Sequence, residues 1–109
     1  MLREVVDAVR GRAEIIVDGG FLRGTDIVKA LALGANAVGL GRLQGLALAA
    51  GGESALARAL ELLEDEMRRC LGLLGVTAAG ALDASYIAPV VPLSREGWDS
   101  AFPLLKEGY

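Results

Sequence analysis

Residues 15–42 read IIVDGGFLRGTDIVKALALGANAVGLGR, and the pattern of apolar residues changes along them. Ala13 to Val17 form a short run that ends in three branched apolar residues, which is typical of a parallel strand covered on both faces. The loop 18–24 follows, and the hydroxyl of Thr25 is suited to cap a helix N-terminus. Apolar residues then recur at helical spacing, and Ala37 to Leu40 form a second strand-like run. This order predicts two parallel strands joined by a helical crossover.

Helical patterns flank this unit on both sides. Residues 2–9 place apolar side chains at helical spacing ahead of it, and a short helix is expected after Arg42. Gly51 and Gly52 separate that short helix from a long one over residues 54–74. The chain is therefore predicted to be α/β, but two parallel strands leave apolar edges open. Either the chain is part of a larger α/β structure, or it completes itself by association with other chains.

The composition excludes several classes of function. The 109 residues carry a net charge of −3, so a basic face for nucleic acid is not expected. Histidine is absent, which removes the commonest general base, and Cys70 is the only cysteine, which removes cysteine-based metal sites. The N-terminal segment does not have the pattern of a signal peptide, and no apolar run reaches membrane-spanning length. We therefore expect a cytoplasmic protein that binds neither nucleic acid nor a membrane.

Glycines and one arginine stand at the ends of the two predicted strands. Asp18, Gly19 and Gly20 follow the first strand, and Gly41 and Arg42 follow the second. Parallel strands end at one edge of a sheet, where α/β proteins bind their ligands. Glycine N–H groups reach phosphate oxygens without interference from a Cβ, and an arginine adds further donors. The pattern predicts a phosphate site, against the alternative that the glycines serve only the turn.

The remaining candidate side chains suggest no catalytic group. Arg23 has two interpretations, as a further phosphate ligand or as an ion-pair partner of Asp18 or Asp26. Asp18 is expected to order the loop, because no second titrating group that could share proton transfer is evident near it. Cys70 is expected to be buried in the long helix as a small apolar residue. No catalytic residue and no metal ligand is therefore assigned.

The segment DGGFLRGTDIVKALALGANAVGLGR resembles the C-terminal signature of the FMN-dependent α-hydroxy acid oxidases and dehydrogenases. This family includes glycolate oxidase, lactate oxidase and mandelate dehydrogenase, and the resemblance extends over about residues 5–87. It implies that the chain is the C-terminal part of a (β/α)₈ TIM barrel. On this interpretation residues 1–88 form about the last two βα units, and residues 89–109 form an irregular tail. The order of a glycine loop, a strand end and a short extra helix also matches the phosphate site of such barrels.

The resemblance further implies FMN as the cofactor, with its phosphate held between the two strand ends. One departure from the family is Leu22, which stands where the family usually has an arginine, and Arg23 is the next candidate. The parent enzyme is then expected to be a flavoprotein oxidoreductase that converts a small (S)-2-hydroxy acid into a 2-oxo acid. Independently of the resemblance, the open strand edges predict that this chain is a homo-oligomer. The candidate cofactor-binding residues are Asp18, Gly19, Gly20, Arg23, Gly41 and Arg42.

Two alternatives to this function stay open at the level of the sequence. The same phosphate site occurs in FMN-dependent barrels of another reaction class, such as isomerases. The chain could also be a non-catalytic, self-associating half-barrel fragment. In the resembling family the catalytic histidine lies upstream of this segment, so the chain alone is expected to be inactive.

Overall fold

The computed structural model describes residues 1–89, which form a parallel pair of strands and three α-helices. The predicted order of strand, helix and strand is confirmed. The predicted tail, residues 89–109, lies outside the described residues apart from its first residue. The elements are α1 (Leu2–Val9), β1 (Ile16–Asp18), α2 (Gly24–Ala32), β2 (Ala37–Gly39) and α3 (Gly41–Leu74), followed by 3₁₀ turns at Ala79–Ala81 and Ala84–Tyr86.

Asn36 aligns the two strands where they begin. The backbone N–H of Ile15 donates to Asn36 Oδ1 at 2.7 Å, and the backbone N–H of Asn36 donates to the carbonyl oxygen of Ile15 at 2.8 Å. From there the Cα partners are Ile16 with Ala37, Val17 with Val38 and Asp18 with Gly39. Because Asp18 and Gly39 are the last residues of their strands, the segments that follow them leave the sheet at the same edge.

The expectation that the first strand is covered on both faces is wrong within residues 1–89. Ile16 is 69% exposed, whereas Ile15 and Val17 are half-buried. A branched apolar run predicts a strand that can be buried, but burial itself requires a second layer of structure. The part of the chain that the structure describes supplies no such layer over Ile16.

The core lies where α2 packs against α3 and the segment that follows it. Apolar residues at helical spacing put one face of α2 inside, and Leu63 is the buried residue of α3. Cys70, which was expected to be buried, is half-buried. The buried apolar side chains are Ile27, Val28, Ala30, Ala32, Ala35, Leu63 and Val76.

The ends of the helices differ in part from the prediction. Thr25 is not the N-cap of α2, because the helix already begins at Gly24 and Arg23 is the N-cap residue. The carboxylate of Asp26 accepts the backbone N–H of Arg23 at 3.1 Å, which satisfies the N-cap from within the first turn. The predicted break at Gly51 and Gly52 is confirmed, since both residues leave helical geometry and divide α3 into two segments.

Gly24 determines how closely α2 approaches α3. A Cβ built on Gly24 would lie 2.6 Å from Glu66 Cβ and equally close to the backbone of Leu63 and Met67. Backbone atoms cannot give way as a flexible side chain can, so the two helices meet at a distance that only glycine permits. The contact brings the start of α2, next to the edge where the strands end, onto the middle of α3.

We predict that Gly24→Ala lowers the thermal unfolding temperature, because the added methyl group forces α2 and α3 apart at a typical overpacking cost of about 1–3 kcal/mol. Gly45→Ala is the matched control, since no atom of another element in the described part of the chain lies within 4 Å of a Cβ at this helical position. The control should leave the unfolding temperature unchanged or raise it, because alanine favours helices over glycine. Circular dichroism melts of both variants measure the difference. An equal effect of the two substitutions would contradict the packing argument.

Candidate functional site

A cavity of about 220 Å³ opens at the edge of the sheet where the two strands end. Two stretches of the chain line it, the end of β1 with the loop that follows and the end of β2 with the start of α3. The parallel register accounts for this meeting of segments that are about twenty residues apart in the sequence. The lining residues are Asp18, Gly19, Gly20, Phe21, Leu22, Gly39, Leu40, Gly41 and Arg42.

The first side of the cavity is the glycine loop, defined here as residues 19–22. Gly19 has a φ of 96° and Gly20 a φ of 83°, both in the region that disfavours any residue with a Cβ. Within residues 1–89, no atom beyond the adjacent residues lies within 4 Å of the point that a Cβ would occupy on either glycine. The backbone of the glycine loop is therefore directly accessible from the open space of the cavity.

The second side of the cavity is the start of α3. Leu40 is the N-cap residue, and its apolar side chain makes no capping hydrogen bond. The first turn of an α-helix carries backbone N–H groups without intrahelical acceptors, and the helix dipole adds partial positive charge there. Gly41 presents open space where a Cβ would be, and Arg42 brings a guanidinium to the cavity lining. This side of the cavity is suited to an anion.

Asp18 lies between these two sides. A Cβ built on Gly39 would lie 2.6 Å from Asp18 Oδ1, so the carboxylate stands against the backbone of β2. Asp18 is the acidic residue of the cavity lining, and Arg42 is the basic one. The cavity is thus polarised, with a carboxylate at the sheet and positive charge at the start of α3.

Arg23 occupies a different position from the other predicted site residues. Its Nε donates to Glu66 Oε1 at 2.9 Å and to Oε2 at 3.1 Å, and its Nη2 lies 2.8 Å from Oε1. Of the two interpretations of Arg23, the ion pair is the one present, but the partner is Glu66 instead of Asp18 or Asp26. The structure brings five of the six predicted site residues to the cavity lining, and Arg23 is not among the lining residues.

Two carboxylates occupy the N-terminus of α2. Glu66 Oε2 accepts the backbone N–H of Gly24 at 2.7 Å, in addition to its bonds with Arg23. Asp26 Oδ2 accepts the backbone N–H of Arg23 at 3.1 Å and that of Leu22 at 3.4 Å. The donors at the start of α2 are therefore used within the protein.

These contacts shift the protonation equilibria of both partners. The hydrogen bond from Arg23, together with that from the Gly24 N–H, holds the pKa of Glu66 below its ordinary value of 4.5. The same hydrogen bond and the charge of Glu66 raise the pKa of Arg23 above its ordinary value. Both side chains are therefore charged at neutral pH, and the local charges of the pair compensate each other.

Sequence reasoning missed the role of Glu66, because it lies 43 residues from Arg23 in a run of acidic residues that has the pattern of a solvated helix face. It also missed Gly39, whose position beside Asp18 depends on the register of the sheet. The local signal for Gly39 was its place at the end of a strand-like run. Glu66 has no local signal, since only the packing of α2 on α3 reveals it.

Other classes of site are not found in residues 1–89. Among these residues, no group of three or more histidine, cysteine, aspartate or glutamate side chains is arranged to hold a metal ion. No helix in the same range has the length and hydropathy needed to cross a membrane.

Comparison with known proteins places similar sequences in one enzyme family. A sequence model of the family described as FMN-dependent dehydrogenase matches residues 1–89. L-lactate oxidase from Nostoc sp. is 43% identical over 86 residues, which cover 79% of this chain and 24% of that protein. 4-Hydroxymandelate oxidase from Amycolatopsis orientalis is 49% identical over 81 residues, which cover 74% of this chain and 23% of that protein. The chain therefore spans about a quarter of the length of the curated relatives it matches.

Solved structures of mandelate oxidase superpose on this chain with a TM-score of 0.72 at 49% sequence identity. One is a complex with (S)-mandelic acid, and the alignment covers 24% of its chain. Another carries a C4a-hydroxy-FMN adduct, and the alignment covers 25% of its chain. Each alignment covers 74% of this chain. These proteins are TIM-barrel flavoenzymes, so the strands and helices described above have counterparts in one part of such a barrel.

We predict that the Glu66 contacts stabilise the fold at neutral pH and cease to do so in acid. The folded-state pKa of Glu66 is depressed, so its contribution is present above the ordinary carboxylate pKa and is lost as pH falls through the lower folded value. Urea unfolding should show wild type more stable than Glu66→Gln at pH 7, with the difference shrinking below pH 4.5.

Glu64→Gln is the control for this prediction, because Glu64 forms an exposed ion pair with Arg68. Such pairs contribute only about 0–1 kcal/mol, so the control should differ less from wild type at pH 7. The assignment of a stabilising role to the charged Glu66 would be contradicted if the loss of unfolding free energy in Glu66→Gln stayed constant from neutral pH into acid.

Proposed function

Because the chain belongs to the FMN-dependent dehydrogenase family, we propose that residues 1–88 form the C-terminal βα units of a (β/α)₈ flavoenzyme and bind the phosphate end of FMN. The observation that carries this proposal is the cavity between the glycine loop and the start of α3. In barrels of this type, phosphate groups bind between the last two strand ends and an extra helix. Here the first segment of α3, residues 41–50, stands in the place of that extra helix.

The size of the cavity supports binding of one end of the cofactor. Pockets that enclose a whole small-molecule ligand usually measure about 300–1,000 Å³. At about 220 Å³, the cavity between the strand ends is smaller than that range. The described residues are thus suited to hold the phosphate group and the atoms next to it, while the ring system would contact other parts of a complete barrel.

The donors around the cavity fit a phosphate monoester. The accessible backbone of Gly19 and Gly20 faces the cavity from one side, and the uncapped start of α3 faces it from the other. Arg42 supplies a guanidinium, which can donate two parallel hydrogen bonds to phosphate oxygens. The carboxylate of Asp18 cannot donate a hydrogen bond to a phosphate oxygen, but it can accept hydrogen bonds from hydroxyl groups next to the phosphate.

Arg23 enters this proposal as a support of the site. Its guanidinium is engaged by both carboxylate oxygens of Glu66, so direct binding of phosphate would require it to leave that pair. We therefore assign the phosphate contacts to the glycine loop backbone, Gly41 and Arg42, and assign to Arg23 the task of holding the end of the loop.

The proposed reaction of the complete protein is the oxidation of a small (S)-2-hydroxy acid to a 2-oxo acid. The names of the relatives support this class, since they include oxidases of lactate, 4-hydroxymandelate and glycolate. When bound, FMN supplies the acceptor for the hydride that leaves the substrate carbon. This chain contributes binding and orientation of the cofactor. It contains no histidine, so we propose that the base for the substrate hydroxyl comes from outside it and that the isolated chain does not turn over substrate.

We predict that the chain binds FMN more tightly than riboflavin, and that Arg42→Ala removes most of that preference. Riboflavin lacks the phosphate, so the comparison isolates the contribution of the proposed site. A hydrogen bond to a charged group contributes about 1.5–3 kcal/mol, which corresponds to a loss of FMN affinity of roughly 10- to 100-fold. Titration monitored by flavin fluorescence measures both affinities.

Arg58→Ala is the matched control for Arg42→Ala. Arg58 also lies on α3 but pairs with Glu61 on an exposed surface outside the cavity lining. The control should bind FMN as wild type does. Equal FMN affinity in wild type and Arg42→Ala would count against the proposed phosphate site.

We further propose that the chain associates with copies of itself. The two-stranded sheet leaves Ile16 largely exposed, and Leu46 and Leu73 are 59% and 90% exposed. Light scattering at increasing concentration should show a mass above that of the monomer, and Ile16→Thr should weaken the association. A monodisperse monomer at high concentration would contradict this proposal.

A further inference from the structure

Glu66 was expected to be a solvated helix residue, but its carboxylate bonds to two residues at the edge of the candidate site. Its two carboxylate oxygens accept from Arg23 Nε, and Oε2 also accepts the N–H of Gly24. The side chain of Glu66 is 27% exposed, against 69% for Arg23. Glu66 is thus the more enclosed partner, and it joins α3 to the residues that follow the glycine loop.

We propose that Glu66 is a positioning residue for the FMN phosphate. By binding Arg23 and Gly24 it fixes the end of the glycine loop and fills the N-terminus of α2, so that the phosphate is received at the start of α3. This inference rests on the proposed function of the cavity.

The starts of α2 and α3 both follow segments that line the cavity. Either could attract an anion through its unpaired N–H groups and dipole. The start of α2 already holds the carboxylates of Glu66 and Asp26, whereas Leu40 leaves the start of α3 without a side-chain cap. The donors at the start of α2 are therefore already engaged, whereas the side chain of Leu40 makes no capping bond at the start of α3, so the two carboxylates direct the phosphate towards α3.

Side chains from α2 and α3 hold the end of the glycine loop. Gly19 and Gly20 have positive φ, and glycine restricts its own backbone less than other residues do. The end of the loop is instead held by side chains, since Asp26 takes the N–H of Leu22 and Glu66 takes that of Gly24. The close contact of Gly24 with Glu66 Cβ fixes the same point by packing. Loss of Glu66 therefore removes one of the two side chains that hold the end of the loop opposite to β1, and leaves Asp26 as the other.

Arg23 also compensates the charge that Glu66 brings to the edge of the cavity. Arg23 neutralises Glu66 through two-point contact. In Arg23→Ala the carboxylate of Glu66 loses that partner and repels an anion in the neighbouring cavity. If Arg23 acts by neutralising Glu66, removal of the Glu66 charge from the Arg23→Ala variant restores the FMN affinity that Arg23→Ala lowers. A direct phosphate ligand would behave differently, because no change at Glu66 could replace it.

The experiment measures FMN and riboflavin affinities of the 109-residue chain at pH 7 for wild type, Arg23→Ala, Glu66→Gln, Glu66→Leu and the double variant Arg23→Ala/Glu66→Gln. Exposed charges interact by less than about 1 kcal/mol, so Arg23→Ala should lower FMN affinity by about two- to fivefold. The double variant should return to within about twofold of wild type. Glu66→Leu should weaken FMN binding, and Glu66→Gln, which keeps an acceptor for the Gly24 N–H, should rescue it. Riboflavin affinity should not change in any variant.

Two results would overturn this inference while leaving the proposed function intact. One is equal weakness of Arg23→Ala and the double variant, which would make Arg23 a direct phosphate ligand. The other is wild-type FMN affinity in folded Glu66→Leu, which would make the role of Glu66 structural only. Should Glu66→Leu not fold, the comparison of Arg23→Ala with the double variant decides the matter. If wild type does not prefer FMN over riboflavin, the proposed function fails, and this inference fails with it.

Discussion

Parallel pairing of β1 with β2 is the constraint on which the rest of the structure depends. The register that pairs Asp18 with Gly39 ends both strands at one level, and the chain leaves the sheet at the same edge each time. The glycine loop and the start of α3 therefore face each other across one cavity. A shift of register by one residue would turn Asp18 away from Gly39 and separate the two groups of backbone donors. The mutual hydrogen bonds of Ile15 and Asn36 fix this register where the strands begin.

The contact between α2 and α3 adds a second level of control. Gly24 permits the close approach, and Glu66 uses it to reach the backbone and side chain that follow the glycine loop. The same contact buries the apolar face of α2, so the packing of the core also places Glu66 beside the site. Carboxylates occupy the start of α2, whereas Leu40 makes no side-chain capping bond at the start of α3. The distribution of charge around the two helix starts thus follows from how the helices pack.

Local patterns were sufficient to predict much of this arrangement. Gly19 and Gly20 after a branched apolar run, and Gly41 and Arg42 after the next, indicate strand ends that approach a ligand. The break at Gly51 and Gly52 was equally local and is confirmed. Thr25 was misassigned as the N-cap, because the helix already begins at Gly24 and the backbone N–H of its N-cap residue, Arg23, bonds to Asp26. The burial of Ile16 was also predicted wrongly, since a sequence window reports that a strand can be buried and not which layer covers it. Glu66 was not identified, because its partners lie more than forty residues away and only the fold brings them together.

The central claim is that backbone N–H groups at the two strand ends jointly hold a phosphate. Amide chemical shifts of ¹⁵N-labelled protein, followed during titration with FMN, test it most directly. We expect the largest changes at Gly19, Gly20, Gly41 and Arg42, and little change at the amide of Gly24, which Glu66 already occupies. Changes centred on Gly24, or an absence of change at Gly41 and Arg42 while FMN binds, would contradict the claim.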